Sequence, residues 1–199
     1  ASNMTLQPDQ GRLDVFAATR ASIVPPANYV GSKDAVVFKF GFDKAFALVA
    51  LLIFSPLMLV IALALLISDR QSPFFSQLRI GENGQLCRCW KFQSMVKNAD
   101  KKLAAILAND PVLRAEWDET FKLQNDPRIT LLGGFLRKTS LDELPQLWNV
   151  LQGEMSLVGP RPIVTAEVER YGSRYWANAC VRPGITGIWQ VQGRSDTTY

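Results

Sequence analysis

The chain has 199 residues, of which 48% are hydrophobic, and this predicts one compact domain with appendages. It contains no histidine, which excludes Ser-His-Asp and Cys-His catalysis, histidine-ligated zinc and an imidazole base. The net charge of +4 fits either an ordinary mixed surface or attraction to anionic lipids and phosphate-bearing substrates. The basic residues form no aromatic-interleaved stripe, so we expect no nucleic-acid partner.

The three cysteines, Cys87, Cys89 and Cys180, do not have the pattern of a structural zinc site. Their number is odd, and no histidine is present to complete a set of four ligands. We therefore expect reduced thiols in a domain that faces the cytosol.

The first part of the chain divides into a tail and a membrane segment. Residues 1–35 are polar and show no clear period, so we interpret them as a tail or linker. Within the predicted membrane segment, 36–70, the run Ala45–Ile67 has 23 residues without a charge. Because about 20 apolar residues cross a bilayer, this run could form a plain transmembrane helix.

Ser55 and Pro56 lie in the middle of that run and favour a second interpretation. Proline removes a backbone donor and kinks a helix, and the serine can bond back to the backbone. Ten apolar residues precede the pair and eleven follow it, so each arm is about 15 Å long, half of a ~30 Å hydrocarbon core. The pattern alone leaves open a spanning helix and a re-entrant helix that enters and leaves on one face.

The remaining segment, 71–199, is predicted to be the catalytic domain, with an α+β, mainly helical fold. Glycine-rich turns and hydrophobic periodicity indicate a β-hairpin followed by several short helices. The predicted strands are Phe74–Ile80, Leu86–Phe92 and Ile188–Gln192. The first predicted helix runs from a cap at Ser94 to Asn109, and the others are Pro111–Lys122, Leu131–Lys138, Leu141–Leu151, Ile163–Tyr171 and Arg174–Asn178. Residues 126–128 are predicted to form a turn, and residues 182–184 a loop.

Several of these helices carry more apolar side chains than a small core requires. Simple core packing explains them, but amphipathic helices that lie at the head-group level of a membrane would also do so. The residues in question are Phe135, Leu136, Trp148, Tyr175 and Trp176.

The most informative stretch runs from Arg137 to Pro162. It places the adjacent carboxylates Asp142 and Glu143 at the predicted start of a helix, whose positive dipole end would keep Asp142 ionised. Arg137 lies five residues before Asp142, and a Pro-Arg-Pro element follows at 160–162. A fixed carboxylate among cations suits covalent attack on a phosphate ester.

This stretch resembles the catalytic core of the bacterial sugar transferases, the monotopic phosphoglycosyl transferases that load a sugar phosphate onto polyprenol phosphate. The similarity extends from about Lys39 to Arg194. The motifs that carry it are Leu141–Gln146, Val158–Pro162, Lys91–Met95, Asp126–Thr130 and Arg182–Gly187.

The resemblance implies a reaction and a location. Members transfer a sugar 1-phosphate from a UDP-sugar to polyprenol (undecaprenyl) phosphate and release UMP, using Mg²⁺. They carry a Ser-Pro break in a re-entrant helix, and their active site faces the cytoplasm on the bacterial inner (cytoplasmic) membrane. The resemblance implies membrane lipids as partners and leaves a homodimer, the sugar and the polysaccharide pathway open.

It also implies roles for individual residues. Asp142 would be the nucleophile, and both Asp142 and Glu143 would bind Mg²⁺, with Glu143 alternatively accepting the proton of the lipid phosphate. The expected substrate-binding residues are Lys91, Arg137, Arg161 with its flanking Pro160 and Pro162, and Gly187 and Gln190 of the late loop. Lys91 could instead be a solvated lysine at the end of a hairpin, and the late loop could be merely structural.

The chain departs from the family pattern at a few positions. Phe40 replaces the second residue of a Lys-Arg pair, Gln93 replaces a cation, and Gly134 often corresponds to arginine. Arg128 could bind substrate or simply tie the turn to Asp126. Family members continue into a further helical segment beyond the position of Tyr199, and the sequence leaves open whether the chain is C-terminally truncated.

Two other functions were weighed. A catalytically silent membrane scaffold is disfavoured by the intact Arg137, Asp142, Glu143 and Arg161. A glycosyltransferase with a metal-binding Asp-x-Asp motif is excluded because the chain contains no such triplet.

Overall fold

The computed structural model describes residues 33–120, 123–164, 168 and 179–187. In this part of the chain helices predominate and a small hairpin is present, which confirms the predicted α+β, mainly helical composition of the fold. The elements in chain order are α1 (Lys33–Asp69), β1 (Phe74–Ile80), β2 (Leu86–Phe92), α2 (Ala99–Asn109), α3 (Pro111–Thr120), α4 (Leu131–Thr139), α5 (Gln146–Gln152), β3 (Ser156–Val158) and β4 (Gly184–Thr186).

The chain divides into two compact units. The first comprises residues 1–53, 76–89 and 146–199, and the second comprises residues 54–75 and 90–145. The division crosses α1 next to Ser55 and crosses both strands of the hairpin.

Helix α1 is long and apolar enough to cross a membrane. Its most apolar stretch of 18 residues has a mean hydropathy of 2.9, and only 22% of this stretch is buried. The helix has 37 residues and includes Pro56 without interruption. Most of its large apolar side chains are exposed, Leu52 and Val60 among them. This surface suits a lipid environment better than water.

The second half of α1 supplies the core of the second unit. Ile61, Ala62 and Leu65 form one buried cluster with Phe92 of β2 and Leu136 of α4. The side chains of Met58, Leu132, Leu141 and Leu144 pack against this cluster. The apolar helix is therefore part of the folded unit and not a separate anchor attached by a linker.

In the first unit, β3 and β4 pair in parallel, with Ser156 opposite Gly184. The first half of α1 contributes a buried polar network to the same unit. Ser156 Oγ donates a hydrogen bond to Asp43 Oδ2 at 2.6 Å, and Lys39 Nζ binds the same carboxylate at 2.8 Å. Asp43 is therefore buried with both a hydroxyl and a cation as partners, which is how a buried charge is stabilised.

The hairpin strands have the predicted bounds, and the helices predicted from Pro111 and from Leu131 are present. The predicted helix from Ile163 does not begin there, because Ile163 forms an antiparallel bridge with Ile80. The rest of that helix, apart from Val164 and Val168, lies outside the described residues, as do the predicted segments 174–178 and 188–192.

The apolar helix residues are split between the two explanations given for them. Leu136 is completely buried, whereas Phe135 and Trp148 are exposed. Tyr175 and Trp176 lie outside the described residues. Core packing therefore accounts for Leu136 but leaves the exposed side of α4, with Phe135, available for other contacts.

Candidate active site

Asp142 and Glu143 lie on a 3-10 turn, Leu141–Glu143, and not on the predicted helix 141–151. An α-helix through this segment would need residue 145 to donate to the carbonyl of Leu141, and Pro145 has no N–H. The amide of Leu144 bonds to that carbonyl instead, at 3.3 Å, which is the tighter 3-10 pattern. Helix α5 begins only at Gln146.

The turn has a fixed position because the residues on both sides of the carboxylates are anchored. Ser140, in the left-handed conformation with a φ of 59°, ends α4 and reverses the chain. Leu141 and Leu144 then pack against the buried cluster of the second unit. The carboxylates between them are therefore held by the core and not by a helix cap.

Asp142 is buried, with 7% of its surface exposed. Burial is the main reason why the pKa of its carboxyl group is raised, and the charge of Glu143 adds to this, whereas Lys91 and Arg137 oppose it. The predicted helix dipole does not act here, since α5 starts four residues later. The expectation that it would keep Asp142 ionised is therefore wrong.

Lys91 lies beside the carboxylates and not in solvent. Its Nζ binds Glu143 Oε1 at 2.8 Å, and the two side chains are 34% and 24% exposed. A pair that is this accessible contributes little to stability. Its importance is in placing a cation next to two carboxylates, where Lys91 is also the strongest opposing influence on the pKa of Asp142.

Arg137 is positioned by Ser94, the residue predicted to cap a helix. Helix α2 begins at Ala99, with Asn98 as its cap residue. Ser94 is buried, and its Oγ accepts a hydrogen bond from Arg137 Nε at 2.8 Å. Gly133 makes the approach possible, because a Cβ there would be 2.0 Å from the Ser94 carbonyl oxygen.

Arg128 forms the tie to Asp126 that was one of its two predicted roles. Its guanidinium binds both carboxylate oxygens, with Nη2 at 2.6 Å from Oδ2 and Nε at 2.8 Å from Oδ1. Burial alone would raise the pKa of Asp126, but the hydrogen bonds and charge of Arg128 together outweigh it and lower the pKa. The predicted turn at 126–128 is closed by the amide of Ile129.

The other predicted substrate-binding residues belong to the first unit. Arg161 is half-buried between prolines whose carbonyls are both engaged: Pro160 accepts from the Gly184 amide, and Pro162 accepts from Arg79 Nη1 at 3.3 Å. The segment predicted as a loop from 182 becomes strand β4 at Gly184. Gly187 follows it and is buried, and Gln190 lies outside the described residues.

Comparison with known proteins gives a consistent result. The family profile described as bacterial sugar transferase matches residues 34–199. The chain belongs to the bacterial sugar transferase family. It is 48% identical over 177 residues to a UDP-galactose-lipid carrier transferase of Erwinia amylovora, which covers 89% of this chain and 37% of the relative. It is 44% identical over 183 residues to an exopolysaccharide production protein of Sinorhizobium fredii, covering 92% of this chain and 81% of the relative.

A third relative is the UDP-glucose:undecaprenyl-phosphate glucose-1-phosphate transferase of Escherichia coli, which is 43% identical over 154 residues. The alignment covers 76% of this chain and 30% of that protein. The chain thus spans about a third of the length of several relatives, such as the proteins of Erwinia and Escherichia.

The departures from the family pattern have local explanations in this sugar transferase. Phe40 lies under the guanidinium of Arg182, whose Cζ is 3.7 Å from the ring centre, so a cation–π contact occupies this position. Gln93 donates through Nε2 to the carbonyl of Met95 at 2.7 Å. A Cβ at Gly134 would touch only Ile129, at 3.8 Å, so there is space for a larger residue at this position.

The carboxylates of this sugar transferase fit a magnesium ion. Among the described residues no group of three or more acidic, cysteine or histidine side chains could hold a metal. Mg²⁺ does not need one, because one or two carboxylates together with substrate phosphates are its usual ligands. The adjacent Asp142 and Glu143 could provide two such carboxylates; burial raises the pKa of Asp142, and the charges of Lys91 and Arg137 do not offset this.

Proposed function

We propose that this chain is a membrane-bound phosphoglycosyl transferase that moves a sugar 1-phosphate from a UDP-sugar to polyprenyl (undecaprenyl) phosphate through Asp142. The observation that carries the proposal is the buried Asp142 carboxylate on a turn anchored by the core, with Lys91, Glu143 and Arg137 around it. The names of the relatives support the same reaction, and they support a role in the first membrane step of surface polysaccharide synthesis.

The reaction has two displacements. An oxygen of the Asp142 carboxylate attacks the sugar-bearing phosphorus of the donor, and the bond to the bridging oxygen breaks, so that UMP leaves with the electron pair. A phosphate oxygen of polyprenyl phosphate then attacks the same phosphorus. The aspartyl oxygen leaves, which regenerates the carboxylate and yields polyprenyl diphosphate sugar.

The surrounding residues lower the charge repulsion in these steps. Arg137 is held at its Nε by Ser94, and its fork of N–H donors matches phosphate oxygens. Lys91 bridges the carboxylate side chain of Glu143 and the approaching diphosphate. Mg²⁺ held by Asp142 and Glu143 would neutralise phosphate charge and stabilise the leaving UMP. Glu143 would alternatively accept the proton of the lipid phosphate.

The activity is tested by incubating purified protein in lipid nanodiscs with polyprenyl phosphate and a panel of UDP-sugars, and measuring UMP release. We expect release from UDP-galactose, UDP-glucose or a derivative of these sugars, and no release by Asp142→Asn. Exposed Lys138 on α4 provides the matched control, because Lys138→Met should retain wild-type turnover. Lack of UMP release from every donor would contradict the proposal.

We also propose that α1 re-enters the membrane at Ser55 and Pro56, which would place both ends of the helix on the cytoplasmic face. Helix α1 continues through Pro56, and the support for re-entrance is that a proline kinks a helix and that each arm alone is about 15 Å long. Single cysteines at Ser32 and Lys101, in a background without the native three, are exposed to an impermeant thiol reagent in intact spheroplasts. Protection of both is expected.

Labelling of position 32 alone would show that α1 spans the membrane. As a control, replacing Ser55 and Pro56 with alanine and leucine should straighten the segment and make position 32 accessible from outside, because the remaining run is long enough to cross.

A further inference from the structure

The second unit contains a cavity of whose lining residues the catalytic chemistry described above uses only Arg137. Its volume is about 210 Å³, and four of its lining residues are Met95, Trp117, Leu123 and Ile129. Clefts that hold a drug-sized ligand are usually about 300–1,000 Å³. The cavity is therefore of a size for one ring of a larger ligand and not for a complete nucleotide sugar.

Arg137 connects this cavity to the carboxylates. Its side chain lines the cavity, and its carbonyl oxygen accepts the Ser140 amide at 3.3 Å, where the turn that carries Asp142 begins. A ligand whose phosphate binds Arg137 can therefore place one end at Asp142 and the other end in the cavity. A UDP-sugar has this form, with a diphosphate between a sugar and a nucleoside.

The polar groups of the cavity favour the nucleoside end. Asp126 and Arg128 also line it, but they satisfy each other through bonds of 2.6 and 2.8 Å. A hexose has several hydroxyl groups, each of which needs a hydrogen-bond partner when it is buried. A pyrimidine ring has two apolar faces, which match the aliphatic residues of the lining. Stacking on Trp117 would share the indole with the Arg128 guanidinium, whose Cζ is 5.3 Å from the ring centre.

Displacement geometry agrees with this orientation. Asp142 attacks the sugar-bearing phosphorus, and UMP leaves from the side opposite to the nucleophile. The sugar phosphate must then lie at Asp142, whereas the nucleoside must extend away from it. Resting on the proposed function, we infer that the cavity beside Arg137 binds the pyrimidine nucleoside of the donor, with Trp117 as the stacking surface.

A first experiment uses the wild-type protein and therefore does not depend on the folding of a variant. The protein is irradiated with the photoreactive probe 4-thio-UMP, and the labelled peptide is identified by mass spectrometry. Labelling within residues 95–137 that excess UMP suppresses is expected. Absence of such suppressible labelling in this segment would overturn the inference.

A second experiment compares Trp117→Leu with Trp117→Phe, which keeps an aromatic ring, and with the exposed Val112→Ala on the same helix. Trp117→Leu should raise the KM for UDP-galactose and UDP-glucose and the inhibition constant of UMP by the same factor, about 10-fold or more. Trp117→Phe should stay within about 3-fold of wild type, since stacking tolerates any aromatic ring. Val112→Ala, and the KM for polyprenyl phosphate throughout, should be unchanged.

Two outcomes of the second experiment would overturn the inference. Unchanged inhibition by UMP in Trp117→Leu would show that the nucleotide does not contact Trp117, and unequal effects on the two donors would show that the cavity binds the sugar. Failure of the proposed function is recognised separately. In that case wild-type protein releases no UMP from any donor, whereas 4-thio-UMP labelling still tests the cavity directly.

Discussion

Arg137 Nε donates a hydrogen bond to Ser94 Oγ across 43 residues of sequence, at a distance of 2.8 Å. This bond engages Nε of the guanidinium, and the two terminal nitrogens carry its other four N–H donors. Arg137 is also one of the cations that stabilise the charge of Asp142. A buried serine on a loop thus positions a cation at the candidate nucleophile.

Ser94→Ala should reduce kcat/KM about 10-fold, because loss of a hydrogen bond to a charged group costs about 1.5–3 kcal/mol and the exposed side of Arg137 weakens the effect. Arg137→Ala should cost about 100-fold or more. The double variant should be no slower than Arg137→Ala, since Ser94 acts through that residue. Steady-state kinetics on all three variants measure this, and additive losses would contradict a positioning role for Ser94.

Asp142→Asn should stabilise the metal-free protein at neutral pH. The folded pKa of Asp142 is raised by burial, so below the unfolded pKa of about 3.9 both states are protonated and no penalty exists. As the pH rises from there to the folded pKa, the folded state binds more protons than the unfolded state, so the free energy of unfolding decreases. The variant, which has no ionisation, avoids this loss.

Thermal unfolding of wild type and Asp142→Asn in EDTA, from pH 4 to pH 8, measures the effect. The Tm of the variant should exceed that of wild type at pH 8, and the difference should shrink toward pH 4. A difference of about 1 kcal/mol corresponds to roughly 2–4 °C in a chain of this length. A variant that is less stable than wild type at pH 8 would show that burial of the ionised Asp142 does not destabilise the fold.

Gly133→Ala and Gly134→Ala form a matched pair on α4. A Cβ at Gly133 would overlap the Ser94 backbone at 2.0 Å, whereas one at Gly134 meets only Ile129 at 3.8 Å. Gly133→Ala should destabilise by about 1–3 kcal/mol and reduce activity by displacing Ser94. Gly134→Ala should stabilise by about 0.5–1 kcal/mol. Equal Tm values for the two variants would contradict the close approach.

Mg²⁺ should both activate the enzyme and stabilise its fold. Two carboxylates are buried or half-buried side by side, and a divalent cation favours their ionised forms. Millimolar Mg²⁺ should raise the Tm of wild type by a few degrees and should have a smaller effect on Glu143→Gln and Asp142→Asn. Full UMP release in excess EDTA, or an equal Tm rise in all three proteins, would place the metal elsewhere.

The sequence is sufficient for features that depend on local chemistry. The strands Phe74–Ile80 and Leu86–Phe92 flank a glycine-containing turn, and their bounds were predicted correctly. The motif that contains Asp142 and Glu143 can be recognised from the sequence whatever secondary structure it adopts. The start of α5 could have been predicted from Pro145, whose missing N–H prevents an α-helix from beginning at Leu141. The leucine spacing indicated a helix from Leu141 instead, and that prediction was wrong.

Other features depend on partners far away in the sequence. Ser94 is a good helix cap by residue type, and only its proximity to Arg137 reveals its other role. Strand β4 has three residues, and it forms because β3 lies beside it. Trp117 lies on α3 outside every motif, and no periodic or compositional signal links it to Arg137; the cavity that they share appears only in the fold.

The covalent intermediate is the most direct test of the account. Protein in nanodiscs is mixed with UDP-galactose or UDP-glucose and Mg²⁺ without polyprenyl phosphate, quenched in acid, and examined by intact-mass and peptide mass spectrometry. We expect a mass increase of one hexose phosphate less one water, located at Asp142, absent from Asp142→Asn and lost when polyprenyl phosphate is added. Turnover with no adduct at Asp142, or an adduct on another residue, would contradict it.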